Sequence, residues 1–248
     1  MSDPSTAASP ATDPDSPSPV MTSIEGDVTV VTMDDGKANA LSFDMIAALD
    51  AAIGGAFDAA KAVVLMGRAG KFCAGFDLRV MTSGIDNARE LLGAGARLAL
   101  RLAAAPIPVV LGVSGHALAM GGILLTVGDY RVGAEGAYKL GLNEVAIGMP
   151  VPLFAVELCR DRLSPPWFAR CIQSAELCSP DTAVTAGFLD ETVAADDVLS
   201  RSVEVAANLA ATVHPGPFAQ TRRAVRGDLL ARLEALLAND LGGFEVST

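Results

Sequence analysis

Val109–Val127 reads VVLGVSGHALAMGGILLTV and Ala137–Pro150 reads AYKLGLNEVAIGMP. The first stretch opens on aliphatic residues, breaks at glycines and resumes as an aliphatic run. That order predicts a buried strand Val109–Val113, a turn Ser114–Met120 and a short helix from Gly121. The run without formal charge reaches back to Leu102, long enough to raise the question of a membrane span. Pro106, Pro108, Gly112, Gly115, Gly121 and Gly122 interrupt it, so a buried strand–turn–helix is the reading and no membrane partner is expected. In the second stretch Glu144 is the sole ionisable residue between Lys139 and Glu157. A carboxylate in apolar surroundings is costly to ionise unless it faces a cavity or a partner. Desolvation would raise its pKa and make it a proton carrier near neutral pH. An isolated carboxylate and a glycine-rich backbone turn are the two parts needed to move a proton next to a carbonyl. A partly exposed loop glutamate capping a backbone amide is the other reading, and residue type alone leaves both open.

Working outward, Gly26–Met33 and Ala62–Met66 read as strands and Tyr130–Gly133 as another. Phe43–Ala52 has apolar residues at helical spacing behind Ser42, a suitable N-cap. Gly67–Asp77, GRAGKFCAGFD, reads as a glycine-containing loop, and a helix follows over Asp86–Ala104. Phe154–Asp161, Pro166–Ser174, Asp181–Ala186, Asp197–Ala211 and Pro217–Leu241 read as helices, the last two long and amphipathic. Ser179-Pro-Asp is a helix start with proline in the first turn. Strands alternating with helices predict an α/β fold with a helical C-terminal part. Residues 1–23 are rich in Ser, Pro, Ala and Asp and read as a disordered tail. The expected organisation is that tail, a core over 24–190 and a helical region over 191–248.

Bulk composition narrows the partners. The 248 residues carry a net charge of −11, which argues against a nucleic-acid partner. Arg222, Arg223 and Arg226 cluster near the C-terminus and read as a solvated helix face, with a phosphate-contacting patch as the alternative. Cys73, Cys159, Cys171 and Cys178 form no C-x-x-C pair, and the only histidines are His116 and His214, so no metal site is expected. The cysteines fit reduced, buried thiols in a cytosol. No basic region followed by an apolar stretch opens the chain, so no secretory signal is read and a cytoplasmic location is expected.

Several segments then point to one family. Lys71–Leu78, KFCAGFDL, resembles the A-G-x-D loop of the crotonase superfamily, the enoyl-CoA hydratases and isomerases. Ser114–Gly122, SGHALAMGG, resembles that family's G-x-A-x-x-G-G turn, and Gly128–Glu135, GDYRVGAE, its D-x-R element. Gly141–Pro150, GLNEVAIGMP, resembles its catalytic-glutamate segment. Lys37–Ser42, KANALS, and Asp181–Val193, DTAVTAGFLDETV, resemble two further elements. No one segment decides the matter; their order and spacing do.

The resemblance implies a spiral of ββα turns followed by C-terminal helices that assemble trimers, often stacked into hexamers. It implies an acyl-CoA thioester substrate in fatty acid metabolism and no cofactor, coenzyme A being part of the substrate. The shared chemistry is an enolate whose oxygen is held by two backbone amides, here those of Phe76 and Met120, with Gly75 and Gly121 allowing close approach. Met120 stands where the family commonly has glycine. Backbone of Lys71, Phe72, Cys73 and Ala74 is expected around the adenine, with Lys71 and Arg79 near phosphates and Arg222 and Arg223 as further candidates. Hydratases of the family use two glutamates. The position of the first is Ile123 here, and the second matches Glu144. The mitochondrial-type 3,2-enoyl-CoA isomerases are similar in this respect. The expected reaction is therefore a double-bond shift from 3-enoyl-CoA to 2-trans-enoyl-CoA with Glu144 as proton carrier. The alternatives are a hydratase (a lyase) working with one glutamate, or a non-catalytic acyl-CoA-binding homologue. Asp129 is expected as a buried structural partner, Asp77 as a cap, Glu135 as solvated and His116 as a packed neutral imidazole. Met149, Pro150 and Phe154 are read as acyl-pocket or core residues.

Overall fold

A computed structural model describes residues 18–243 of the chain. In chain order the strands and helices are β1 (Val20–Glu25), β2 (Val28–Met33), α1 (Phe43–Ala59), β3 (Ala62–Gly67), β4 (Gly70–Cys73), α2 (Leu78–Met81) and α3 (Ile85–Ala103). Next come β5 (Val109–Val113), β6 (Gly115–Leu118), α4 (Met120–Leu125), β7 (Tyr130–Ala134) and β8 (Leu140–Gly141). After a 3-10 turn at Val145–Ile147 follow α5 (Leu153–Arg162), α6 (Pro165–Gln173), α7 (Pro180–Ala186), β9 (Glu191–Val193), α8 (Val198–Thr212) and α9 (Pro215–Gly243).

Two sheets organise these elements. Six strands run in the order β1-β2-β3-β5-β7-β9, and a smaller sheet runs β4-β6-β8. Only the β1–β2 pair is antiparallel; every other pairing is parallel. After β3, β5 and β7 the chain places its next strand in the small sheet and then makes helix before returning. This is the expected spiral of ββα turns. The inner large-sheet strands β2, β3, β5 and β7 are mostly aliphatic and buried on both faces, as parallel strands are when helices cover them. Helix α8 covers one face, with Ala206 and Ala210 against Val28, Val30, Val64 and Val110. Helices α1 and α3 and the small sheet bury the other face in a continuous apolar core.

Local signals explain several boundaries. Ser42 accepts a hydrogen bond from Met45 N–H at 3.2 Å and starts α1. Ser179 accepts from Thr182 N–H at 3.3 Å and starts α7, with Pro180 at its first position. Other boundaries differ from expectation. Residues 1–17 of the expected tail lie outside the described residues, but Val20–Ser23 belong to β1, an edge strand paired with β2. Val20 alone in β1 is buried, so no burial alternation marked it in the sequence. Helix α1 runs to Ala59, past Gly54 and Gly55, because tertiary packing overrides their weak helix propensity; Gly54 lies against the Arg101 guanidinium. β4 and β6 lie in segments read as a loop and a turn. β9 follows residue 190, so the large sheet crosses the expected boundary between core and helical region.

The expected solvated arginine face on α9 is corrected at Arg222 and Arg226, while Arg223 is exposed as expected. Arg222 is buried, donates to Ala105 O at 2.9 Å and pairs with Asp129, while Arg226 donates to Ala103 O and Val127 O. Neither guanidinium is free for a phosphate. These contacts moor α9 to the end of α3 and the segment before β5, and to the segment between α4 and β7. Asp129 also accepts Val109 N–H at 2.8 Å, the structural role expected of it. Fully buried Arg131 pairs at 2.6 Å with Asp190 and donates to Gly128 O at 3.0 Å. The D-x-R segment is thereby locked to the GFLDETV segment.

Candidate active site

The small sheet sets the site. Its strands are parallel, so β4, β6 and β8 end on the same edge, and ligands of open α/β sheets bind beyond such carboxyl ends. Phe76 lies three residues past β4, Met120 two past β6 and Glu144 three past β8. Phe76 forms a parallel bridge with Leu41: Leu41 N–H donates to Gly75 O at 2.8 Å and Asp77 N–H to Leu41 O at 3.0 Å. In that pattern the neighbours of Phe76 bond to Leu41, and its own N–H faces the opposite side, towards β6.

Met120 opens α4, and first-turn amides have no acceptor within a helix. The sharp turn before it falls on Ala119, with φ 50° and ψ −121°. Such a conformation in a residue with a Cβ costs about 1–3 kcal/mol and persists only where the surroundings enforce it. Here Ala119 N–H donates to Gly141 O at 3.0 Å and Ala119 O accepts Ile123 N–H at 3.0 Å. Met120 itself is helical, so its side chain does not strain the turn.

Two glycines let the segments meet. A Cβ on Gly121 would lie 2.2 Å from Cys73 O, so no other residue fits there. Gly75 has φ 95°, and a Cβ on it would lie 2.9 Å from Ala119 Cβ and 3.6 Å from the Met120 nitrogen. Gly75, which precedes Phe76, thus lies against the Ala119–Met120 turn. The Phe76 ring packs against α3 at Gly95.

Glu144 is 8% exposed, and its Oε2 has no hydrogen-bond partner. Burial holds its carboxyl above the usual glutamate range, while the amides of Glu144 and Asn143 act in the opposite direction. The reading of a partly exposed loop glutamate therefore does not describe it. Its carbonyl accepts Ile147 N–H at 3.0 Å and Met149 N–H at 2.9 Å, which fixes the turn carrying it. Cys159 of α5 is a close neighbour: burial pushes its thiol up, and the Glu144 charge adds to the effect. Ile123, the position that the resemblance gives to the first of the two glutamates, is buried and apolar.

The expected adenine-binding backbone is brought only partly to the surface. Phe72 and Cys73 are core residues, and the carbonyls of Lys71 and Phe72 both accept from Asn39 Nδ2 at 3.2 Å. Burial pushes the Cys73 thiol up to about 12. Ala74 is exposed, and its N–H donates to Ala38 O at 3.1 Å. A groove of about 430 Å³ runs alongside, lined by Lys37, Ala38, Ala40, Ser42, Asp77 and Arg79 among others. Asp77 caps α2 by accepting Arg79 N–H at 2.9 Å; the Arg79 side chain beside it holds its carboxyl below the usual range. His116 accepts Lys139 N–H on Nδ1 at 3.0 Å, and burial, with Lys71 and Lys139 nearby, lowers its pKa; it is a neutral packed imidazole. Among the described residues, no group of three His, Cys, Asp or Glu side chains converges as metal ligands.

Sequence reasoning missed two residues. Buried Asn39, with φ 53°, donates to Met33 O, Lys71 O and Phe72 O, tying the KANALS segment to β4. Asparagine's tolerance of that backbone region is the signal that could have found it. An alanine forced to positive φ, as at Ala119, leaves no such signal.

Comparison with known proteins agrees with this fold. A crystal structure of an enoyl-CoA hydratase/isomerase family protein from Pseudomonas syringae superposes with a TM-score of 0.89 at 36% identity, covering 92% of this chain and 98% of that one. An apo enoyl-CoA isomerase from Mycobacterium tuberculosis gives 0.87 at 38% identity, covering 92% and 99%. Mouse mitochondrial enoyl-CoA delta isomerase 1 is 30% identical over 144 residues, 56% of this chain and 50% of that protein, so the chain spans about half the length of that curated relative. The family pattern described as enoyl-CoA hydratase/isomerase matches residues 23–246, and the chain belongs to that family, with its crotonase fold.

Proposed function

We propose that the protein is an enoyl-CoA isomerase that converts 3-enoyl-CoA to 2-trans-enoyl-CoA. The observation that carries this reading is the buried carboxyl of Glu144, one of whose oxygens has no hydrogen-bond partner, together with a buried apolar Ile123 at the position that the resemblance gives to the first glutamate of the family's hydratases. Hydration needs a positioned water and usually both acids, whereas moving a double bond needs one proton carrier. Ionised Glu144 takes a proton from the α-carbon. The negative charge that develops on the thioester oxygen is held by Phe76 N–H and Met120 N–H, donors fixed before the reaction begins. Protonated Glu144 then returns the proton to the γ-carbon. A carboxyl with a raised pKa suits both halves of that cycle near neutral pH. The CoA moiety lies along the Lys37–Arg79 groove, with Lys37 and the exposed, Asp77-paired Arg79 lining it for phosphates. Trimers or hexamers built through the C-terminal helices and a cytoplasmic location belong to the same reading.

A panel of 3-enoyl-CoA and 2-enoyl-CoA substrates with product analysis tests it. Appearance of conjugated thioester absorbance from 3-enoyl-CoA is the expected result. Loss of that absorbance from crotonyl-CoA, with no action on 3-enoyl-CoA, would assign hydration instead. Absence of α-proton exchange in deuterated water would leave binding without catalysis.

A further inference from the structure

Two thiols that the proposed reaction does not use lie in contact beside β8. Cys171 of α6 and Cys178, just before α7, are both buried, with their sulfurs 3.8 Å apart. The segment between them is cinched. Arg170 holds the Glu176 carboxylate with bonds of 2.7 and 2.5 Å, Glu176 N–H donates to Arg170 O at 3.1 Å, and Ala175 sits at φ 51°. Cys178 is also joined to the small sheet. Its N–H donates to Leu140 O at 2.8 Å, and Leu140 N–H donates back at 2.9 Å. Leu140 opens β8, the next carbonyl holds Ala119 N–H, and Glu144 follows three residues later.

We infer that Cys171 and Cys178 form an oxidisable dithiol that a hydroperoxide closes to a disulfide, and that the closure acts on Glu144 and the Ala119 turn through β8. One thiolate attacks the peroxide O–O bond, giving a sulfenic acid and releasing water or an alcohol. The second thiol displaces the sulfenic oxygen as water and forms the S–S bond. Two electrons pass from the sulfurs to the peroxide, and both thiol protons leave in the products. A bonded pair needs its sulfurs about 2.05 Å apart, so they must close by roughly 1.8 Å. Because both bonds of Cys178 run to Leu140, the movement is shared with β8. The thiol–thiol contact, in which either sulfur can donate, lowers the Cys171 pKa, with Arg170 adding to it and burial and Glu176 opposing, whereas burial is the largest effect at Cys73 and Cys159 and opposes ionisation.

The test uses the full chain and hydrogen peroxide. Denatured-protein mass analysis should show loss of two hydrogens, and peptide mapping should place the link between residues 171 and 178. Amide exchange over residues 140–144 should change on oxidation, a readout independent of turnover. The activity arm rests on the proposed isomerisation: turnover should fall roughly tenfold, as a displacement near 1 Å at a reacting centre allows, and recover with dithiothreitol. Cys171→Ser and Cys178→Ser should each escape the loss. No disulfide, a disulfide with unchanged exchange, or equal loss in both serine variants overturns the inference. An unoxidised protein without turnover overturns the isomerase reading instead, and the mass and exchange results still decide the dithiol.

Discussion

The two sheets of this molecule are stabilised by different chemistry. The large sheet is held by side chains: aliphatic residues packed on both faces of its inner strands β2, β3, β5 and β7, with the Arg131–Asp190 and Arg222–Asp129 pairs at its margins. The small sheet is held by backbone brought together at glycines, and it carries every group assigned to the reaction. The first arrangement tolerates exchange among apolar residues of similar volume. The second tolerates almost nothing where a Cβ would meet a main-chain atom at 2.2 Å. Substitutions in the small sheet should therefore strike turnover, and those in the large sheet should strike stability.

The largest effect is expected at Glu144. Glu144→Gln should lower turnover by roughly 10³-fold while leaving CoA-ester binding intact, checked by steady-state kinetics and calorimetry. The same variant reads the pKa. A carboxyl whose folded pKa lies above its unfolded value binds its proton more tightly when folded, so its contribution to stability falls as pH rises between the two values. Melts over that interval should show wild type losing stability relative to Glu144→Gln as pH increases. Turnover should rise with pH across the same interval, because ionised Glu144 begins the cycle. Coincident pH profiles of wild type and variant stability would remove the desolvated carboxyl from the argument.

Gly75→Ala comes next. It adds a Cβ at positive φ, 2.9 Å from Ala119 Cβ, and should displace the Met120 amide. We expect kcat to fall by roughly 10²-fold with a modest drop in Tm. Asp190→Ala is the opposite case. It strips fully buried Arg131 of its charge partner and should cost about 3–5 kcal/mol in urea unfolding, with kcat of the folded protein unchanged. A large kcat effect there would break the division between the sheets.

The same division explains what the sequence disclosed. Val28–Met33 and Val109–Val113 were legible because β-branched and aliphatic runs announce buried strands. Ser42 and Ser179 announced their helices by cap chemistry. Gly70–Cys73 and Gly115–Leu118 were not legible as strands, since each is four residues with glycine at its head, too short for periodicity to show. They were found as motifs, by resemblance. Glu144 stood out because charge is scarce around it. Arg222 and Arg226 were misread because a helical pattern counts arginine as solvated, whereas here both bond to main-chain carbonyls, Arg222 in the interior and Arg226 at its edge. Nothing local marked Ala119, whose backbone is set by hydrogen bonds to Gly141 and Ile123.

The smallest effect is expected where the two regions join. Helix α5 begins at Pro152, which offers no side-chain cap, and Asp240 of α9 serves instead, accepting Leu153 N–H at 2.8 Å and Phe154 N–H at 2.9 Å. A carboxylate in the last turn of α9 opposes that helix's own dipole, so its placement is favourable only because it meets the positive end of α5. Asp240→Ala should cost about 1 kcal/mol, the usual worth of a cap. The turn between Glu144 and α5 is anchored at one end by Met149 N–H on Glu144 O and at the other by Asp240. Loosening the second anchor admits water to the carboxyl and relaxes its pKa towards the ordinary range. The acidic limb of the turnover profile should then move to lower pH in Asp240→Ala, and Asp240→Asn, which keeps one acceptor, should shift it less. A loss of stability with no movement of the limb would confine α9 to supporting the large sheet.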